Sequence, residues 1–351
     1  PHEFYRAVAD GGWLGITIPR DYGGSGLGIT EAALVMQTVA ESGGGTQACS
    51  AIHLGIFGLE PLIRHGSEGT RRKYLPAILA GDLHVSFAVT EPDAGTNTTE
   101  IKTFARRDGD GYRIRGRKVF ISKAKESRKM LLLTRTTPFE EVTKKTDGMS
   151  LFFADIDPAT VEVRELDKCA RKSVDTNMLF IDDLFVPKED LIGEEGKGFR
   201  YILDGLNPER ILVAAESIGM GKRAIEKAVQ YAKERIVFGR PIGMNQGIQF
   251  PLADSAAKLE TAELMVWKAA SLYDRGQPCG REANNAKYMA AEAACEAADR
   301  AMQAHGGYGY IKDYDVERYW REARLFRIAP VSQEMILNYV GEHVLGLPRS
   351  Y

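Results

Sequence analysis

The chain has 351 residues, of which 44% are hydrophobic and 27% are charged, with 46 Lys and Arg against 48 Asp and Glu. This composition predicts a soluble globular protein with a large core and room for two or three domains. Because the charge is nearly balanced, the chain has no broad positive electrostatic field that would attract nucleic acid or an anionic membrane. No apolar run reaches the length of about 18 residues that a spanning helix needs.

The cysteines form no CxxC pair and have no His at ligand spacing, which disfavours a disulfide framework and a zinc site. They are Cys49, Cys169, Cys279 and Cys295. A reducing compartment fits best, so we expect a bacterial cytoplasm or, in a eukaryote, the mitochondrial matrix. The first residues, PHEFYRAVAD, are amphipathic and unlike the apolar segment of a signal peptide.

The residue composition and spacing of the chain change twice. Residues 3–80 are Ala-rich with apolar residues at spacings of three and four, which predicts helices. Residues 85–186 contain short β-prone runs such as GYRIRGRKVFIS, separated by Gly, Asp and Pro. From Gly198 onward, long Ala- and Glu-rich stretches predict helices again. We therefore predict an α+β chain with domains at 1–83, 84–197 and 198–351.

Three separate segments carry chemistry: FAVTEPDAGT from Phe87, YAKERIVFGRPIGMNQ from Tyr231 and QAHGGYGY from Gln303. A strand that runs into Pro and Gly exposes backbone N–H groups to a ligand. The planar fork of Arg suits a pyrophosphate, and adjacent glycines let the backbone approach one closely. Taken singly, the first segment is more typical of a strand-end turn and the third of a helix C-cap, and the Arg of the second also fits a helix-capping role.

In this order the three segments resemble the flavin-binding signature of the acyl-CoA dehydrogenase family, and the resemblance extends over essentially all 351 residues. It implies an N-terminal α-helical domain, a middle β-barrel domain and a C-terminal four-helix bundle. It also implies FAD wedged between the last two domains, in a homotetramer or dimer. Family members usually have a further helix before residue 1, so we expect the first helix of the N-terminal domain to be missing from this chain.

The resemblance assigns roles to individual residues. Val89 and Thr90 meet the flavin ring, Phe120 packs on the ring where relatives usually have Trp, and Ser122 bonds near the flavin N5. Lys123 and Ala124 depart from the Asn-Gly that commonly follows this strand. Gly95 and Thr96 lie near phosphate and thioester. The remaining cofactor residues, some of which reach the FAD of a neighbouring subunit, are Arg235, Phe238, Gln246, Gln303, Gly306, Gly307, Ser332 and Glu334.

The family reaction also needs a carboxylate that removes the α-proton of the acyl thioester. Many relatives place this Glu in an Ile-Tyr-Glu-Gly-Thr motif, where this chain has Pro330. A minority of relatives, similar to isovaleryl- and long-chain acyl-CoA dehydrogenases, place it on a helix immediately before an Arg. Glu209 precedes Arg210 in this way and is the predicted base, with Glu216 as the second candidate. Thr96, Asn207 and Arg210 are predicted to contact the substrate.

Pro330 raises a second question, because relatives use the backbone N–H at this position to bond the thioester carbonyl. Proline has no N–H. Three explanations stay open: another amide serves, the correspondence between the sequences shifts by one residue, or the chemistry is modified.

The resemblance implies FAD-dependent α,β-dehydrogenation of a saturated acyl-CoA to the trans-2-enoyl-CoA, as in fatty acid β-oxidation. The flavin N5 takes the β-hydride, and the electrons pass to an electron-transferring flavoprotein. Two alternatives remain on the same scaffold: a flavin oxidase or monooxygenase, and a non-catalytic relative that binds flavin or CoA. We expect partners to include acyl-CoA and further copies of the chain, but neither nucleic acid nor a membrane span.

Overall fold

The computed structural model describes residues 2–350 and has the predicted order of helices, strands and helices. The helices are α1 His2–Asp10, α2 Ile29–Val39, α3 Gly45–Phe57, α4 Glu60–His65, α5 Glu68–Leu79, α6 Gly198–Glu234, α7 Gln246–Asp274, α8 Gly280–His305, α9 Val316–Phe326 and α10 Gln333–Tyr339. The strands are β1 Val85–Ala88, β2 Phe104–Asp108, β3 Gly111–Ser122, β4 Lys129–Arg135, β5 Met149–Asp155, β6 Val161–Glu165, β7 Thr176–Pro187, β8 Leu191–Ile192, β9 Ile236–Val237 and β10 Arg240–Pro241. Within residues 2–350, no helix is long and apolar enough to cross a membrane.

The chain forms two compact units. The sheet unit contains the N-terminal residues through Leu27, with Ser50–Lys168 and Lys172–Leu206. The helical unit contains Gly28–Cys49, Cys169–Arg171 and the chain from Asn207 onward. The sequence predicts three domains and the structure divides into two units, so the domain boundaries after residues 83 and 197 stay a prediction.

The sheet unit is built on one eight-stranded mixed sheet with the order β6-β7-β3-β2-β4-β5-β8, and β1 pairs with β4 in parallel. Successive side chains of a strand point to opposite faces. Leu131 and Leu133 of β4 accordingly pack in one core cluster with Leu62 and Leu75 from α4 and α5, whereas Leu132 packs in the cluster on the other face. Both faces of β4 are therefore covered, which explains its uninterrupted apolar run.

A β-bulge interrupts β3 just before the strand ends. Lys118 pairs with Leu179 and Ile121 pairs with Asn177 of β7, so two residues of β3 lie opposite one residue of β7. One of the two, Phe120, has a φ of 61°. The buried side-chain amide of Asn177 donates to the carbonyl of Ile121 at 2.9 Å and so fixes the bulge. As a result, the Phe120 side chain is 67% exposed although its neighbours are buried.

The helical unit has its core between the three long helices α6, α7 and α8 and the shorter helix α9. Ala224 of α6, Ala294 of α8 and Tyr319 of α9 belong to one buried cluster. Small side chains let helices approach closely. At Gly221 of α6, an added Cβ would lie 2.5 Å from a methyl carbon of Leu259 on α7. The Ala- and Gly-rich sequence of these helices is therefore a packing requirement of the predicted bundle.

Candidate functional site

In the sheet unit, the chain that follows β1 lies directly against β3. The N–H of Val119 donates to the carbonyl of Thr90 at 2.9 Å, and Nζ of Lys118 donates to the carbonyl of Val89 at 2.9 Å. Two of the predicted flavin-binding segments are thus adjacent. Val89 and Thr90 are both half-buried.

A buried ion pair holds this turn in place. Nζ of Lys118 lies 2.8 Å from Oε1 of Glu91, and the same carboxylate accepts the backbone N–H groups of Lys102 at 2.6 Å and Thr103 at 3.0 Å. Burial lowers the pKa of Lys118 to about 8. Burial also opposes the ionisation of Glu91, but the Lys118 charge and the donated hydrogen bonds outweigh it and hold the pKa of Glu91 below its usual range. Both groups are therefore ionised at neutral pH.

The surface beside this pair is suited to a planar aromatic ligand. Phe120 presents an exposed ring, and Ser122 is half-buried at the end of the same strand. The carbonyl of Ser122 accepts the hydroxyl of Ser86 at 3.1 Å. Gly95 and Thr96 are exposed, and a Cβ added at Gly95 would meet no atom within 4 Å. An exposed aromatic ring and an open stretch of glycine backbone both suit a flavin ring system.

Lys123, which replaces the Asn of the family pattern, is anchored inside the sheet unit. Its Nζ donates to the carbonyl of Ala51 at 2.9 Å and lies 4.1 Å from the centre of the Tyr5 ring. Burial lowers the pKa of Lys123 to about 8. The loop after β3 is therefore tied to α1 and α3 by a long side chain.

In the helical unit, the segment after α6 forms a small hairpin. β9 and β10 are joined through Phe238 and Gly239, whose φ angles of 52° and 77° are those of a two-residue hairpin turn. The Phe238 side chain is fully exposed at its tip. The N–H of Ile242 donates to the carbonyl of Arg235 at 2.9 Å, and α7 then begins at Gln246, which is exposed.

This hairpin lies next to the end of α8. The Arg235 guanidinium lies 5.6 Å from the centre of the Tyr308 ring, and Tyr231 stacks on His305 with 4.4 Å between ring centres. A Cβ added at Gly306 or Gly307 would meet no atom within 4 Å. The segments that begin at Tyr231 and Gln303 are therefore brought together. They present an exposed guanidinium beside open glycine backbone, which fits a pyrophosphate. Gln303 is exposed on the last turn of α8.

Both candidate bases lie on α6. Glu209 is half-buried, and Arg210 beside it donates from Nη1 to Oδ1 of Asn207 at 3.1 Å. Burial lowers the pKa of Arg210, and its Nε has no hydrogen-bond partner among the described residues. Glu216 is only 4% exposed, and its charge helps to raise the pKa of Cys49 after burial has done so. Glu209 is the more accessible of the two.

Arg210 and Val331 line one cavity of about 410 Å³. The other lining residues are Asn284, Met335, Asn338, Tyr339, Glu342, His343 and Arg349. The loop that contains Pro330, which follows a cis peptide bond, forms part of this wall. Ser332 caps α10 by accepting the N–H of Met335 at 3.4 Å, and Glu334 is exposed in the first helical turn.

Lys287, a fully buried lysine of α8, is not among the residues predicted for the site. Its Nζ donates to the carbonyl of Val331 at 2.6 Å. Burial lowers its pKa to about 8, and Arg210 lowers it further. The available signal is the pair Asn284 and Lys287, two polar residues three positions apart on a helix face that otherwise carries alanine.

Known proteins match nearly all of the chain. Residues 1–82, 86–184 and 196–345 match the family models described as acyl-CoA dehydrogenase N-terminal, middle and C-terminal domains. Acyl-CoA dehydrogenase FadE12 of Mycobacterium tuberculosis strain H37Rv is 40% identical over 357 residues, which cover 99% of this chain and 89% of that protein. The chain belongs to the acyl-CoA dehydrogenase family of flavoprotein oxidoreductases, which act on CH–CH groups.

Two further comparisons agree in fold and length. The caffeyl-CoA reductase-Etf complex subunit CarC of Acetobacterium woodii is 37% identical over 329 residues, which cover 93% of this chain and 86% of that protein. The solved structure of butyryl-CoA dehydrogenase from Megasphaera elsdenii superposes with a TM-score of 0.93 at 29% identity, with 98% of this chain and 90% of that chain covered. The predicted arrangement of N-terminal helices, middle sheet and C-terminal helices is confirmed.

Proposed function

We propose that this enzyme converts a saturated acyl-CoA to the trans-2-enoyl-CoA, with Glu209 as the base. The observation that carries the proposal is the placement of Glu209 beside Arg210 on α6, in a chain where Pro330 stands at the position that other relatives use for a Glu. Burial lowers the pKa of Arg210 and the Glu209 charge raises it, so the two groups interact electrostatically, and Asn207 fixes the guanidinium.

The cofactor is FAD, which accepts the β-hydride when it is bound. Phe120 would supply an aromatic face for the ring system, and Val89, Thr90 and Ser122 would contribute the other contacts to it. Gly95 and Thr96 offer open backbone and a hydroxyl. Arg235, Gln303, Gly306 and Gly307 supply charge and backbone donors for the pyrophosphate, and the remaining contacts are assigned to Phe238, Gln246, Ser332 and Glu334.

Glu209 then takes the α-proton of the acyl thioester onto a carboxylate oxygen. Arg210 orients the thioester end of the substrate, together with Asn207 and Thr96. Glu216 is the second candidate for the base, although its deep burial leaves it less open to a substrate.

An acyl-CoA and an electron-transferring flavoprotein are the proposed partners. The relative from Acetobacterium woodii is named as a subunit of a complex with Etf, which supports this electron acceptor. That relative is named a reductase, so the same site working in the reductive direction is the second candidate function. We also propose that the chain assembles with further copies of itself into a dimer or tetramer.

The proposal is tested by identifying the product and the electron acceptor of the reaction. The FAD-loaded protein is mixed without oxygen with butyryl-CoA, isovaleryl-CoA and palmitoyl-CoA, and flavin absorbance is followed while the products are separated. We expect bleaching, an enoyl-CoA product and fast reoxidation by an electron-transferring flavoprotein but not by air. Rapid peroxide formation in air would identify an oxidase, and bleaching by none of the acyl-CoAs would contradict the proposal.

A further inference from the structure

Side chains of α8 bond the loop between α9 and α10 at three points. At its two ends, Arg327 and Gln333 bond the same carboxylate: Nη2 of Arg327 lies 2.6 Å from Oε2 of Glu292, and Nε2 of Gln333 lies 2.5 Å from Oε1. In the middle, Nζ of Lys287 donates to the carbonyl of Val331 at 2.6 Å. Two side chains of one helix thus hold the start, the middle and the end of the loop.

The buried position of Lys287 is energetically unfavourable for its ammonium group. Its side chain is fully buried, and burial lowers its pKa to about 8, so the structure tolerates an ammonium group where an apolar side chain packs at lower cost. Val331 O is its only hydrogen-bond partner among the described residues. A purely structural contact does not require a charge at this place, which suggests that the position of Val331 matters for function.

Val331 lines the same cavity as Arg210, the residue assigned to the thioester end of the substrate. The cavity has a volume of about 410 Å³. The preceding residue, Pro330, has no N–H to offer. The N–H of Val331 makes no hydrogen bond to the described part of the chain, residues 2–350. An unpaired N–H in a cavity wall is available to a carbonyl oxygen of a ligand.

We propose that Lys287 and Glu292 are positioning residues, which clamp the loop from Arg327 to Gln333 so that the Val331 N–H is held ready for the thioester carbonyl of the substrate. The inference rests on the proposed function, because it needs an acyl thioester beside Arg210. It adds two residues of α8 to the reaction, neither of which touches the reacting atoms. It also names the amide that serves where Pro330 cannot.

Helix α8 offers a matched control one turn further on. Glu296 also bridges two cationic side chains, with Oε2 at 2.8 Å from Nζ of Lys258 and a second contact to Arg300. Glu296→Gln and Lys258→Met therefore remove the same kinds of group from the same region without touching the loop. The test variants are Glu292→Gln, Lys287→Met and the charge-conserving Lys287→Arg.

Two measurements are made on the FAD-loaded full chain. Hydrogen exchange reports the loop, and we expect the hydrogen-bonded amides of Ile328 and Ala329 to exchange faster in Lys287→Met and Glu292→Gln than in either control. Anaerobic stopped flow with the best of the three acyl-CoAs reports the reaction. We expect flavin reduction to slow by at least about tenfold in both test variants, with the affinity for CoA itself unchanged and with partial rescue in Lys287→Arg.

Each other outcome overturns part of the account. Faster loop exchange with an unchanged rate would make the clamp merely structural, and a slower rate with unchanged exchange would remove the clamp as its cause. If none of the acyl-CoAs bleaches the wild type, the proposed function fails. The exchange data then decide separately whether Lys287 and Glu292 hold the loop.

Discussion

Lys118 and Glu91 form a buried ion pair that joins the turn after β1 to strand β3. Lys118 also donates to the carbonyl of Val89, one of the residues assigned to the flavin ring. The pair therefore fixes the turn after β1, which contains predicted flavin-binding residues, against strand β3. An isolated charge at this depth is costly, so each partner depends on the other.

Removal of one partner is expected to destabilise the sheet unit strongly. We predict that Lys118→Met lowers the free energy of unfolding by about 3 to 5 kcal/mol, because Glu91 is left as an uncompensated buried charge. Urea unfolding at pH 7 measures this value. Lys125→Met, which removes the exposed partner of Glu165, is the control and is expected to cost at most about 1 kcal/mol. Equal effects of the two variants would show that the buried pair does not hold the turn.

Phe120 tests the assignment of the flavin surface. Because its φ is 61° and its ring is exposed, Phe120→Gly relieves backbone strain and removes no core packing. We predict unchanged or slightly higher stability of the protein without FAD, but about tenfold weaker FAD binding through loss of ring stacking. Thermal unfolding and a flavin fluorescence titration measure the two quantities. Unchanged FAD affinity would remove Phe120 from the flavin site.

Arg235 tests the assignment of the pyrophosphate site. Lysine keeps the charge but not the planar fork, so we predict that Arg235→Lys weakens FAD binding and that Arg235→Ala weakens it further, by about tenfold to a hundredfold. Arg240→Lys, on the same hairpin and hydrogen-bonded to Asn245, is the matched control. FAD retention is measured by gel filtration and titration. A loss in the Arg240 variant equal to that in the Arg235 variants would point to damage of the hairpin instead.

Lys123 gives stability a defined pH dependence. Its pKa is about 8 in the folded chain against an ordinary 10.5, so between these values the unfolded chain binds more protons. The contribution of Lys123 to the free energy of unfolding is therefore unfavourable below pH 8 and becomes less so as the pH rises to 10.5. We predict that Lys123→Met removes this rise, which amounts to at most about 3 kcal/mol. Urea unfolding at pH 7, 8.5 and 10 measures it, and an unchanged pH slope would contradict the buried ammonium.

The sequence predicts much of the fold because its signals are periodic or local. Ala-rich spacing marks the helices, β-prone runs marked off by Gly and Pro mark the strands, and the Tyr231 and Gln303 segments meet as the resemblance implies. The bulge that turns Phe120 outward was not predictable in this way, since it depends on Asn177 of another strand. An alternating pattern alone does not reveal an inserted residue.

The contacts of Lys287 and Glu292 with the loop that contains Pro330 were also not predictable from the sequence. Lys287 and Val331 are far apart along the chain, and a single lysine on an Ala-rich helix is usually a solvated charge. Only the packing of α8 against the loop shows that this lysine is buried. The three-domain division and the individual site residues stay predictions that mutation must test.

The most direct test of the proposed chemistry compares Glu209→Gln with Glu216→Gln in anaerobic titrations of the FAD-loaded protein with acyl-CoAs. If Glu209 is the base, its variant should bind FAD and acyl-CoA normally but bleach the flavin about a hundredfold to ten-thousandfold more slowly, since general-base catalysis contributes on this order. Glu216→Gln should then keep most of the wild-type rate. Fast bleaching by Glu209→Gln, with loss of bleaching in Glu216→Gln, would contradict the assignment and move the base seven residues along α6.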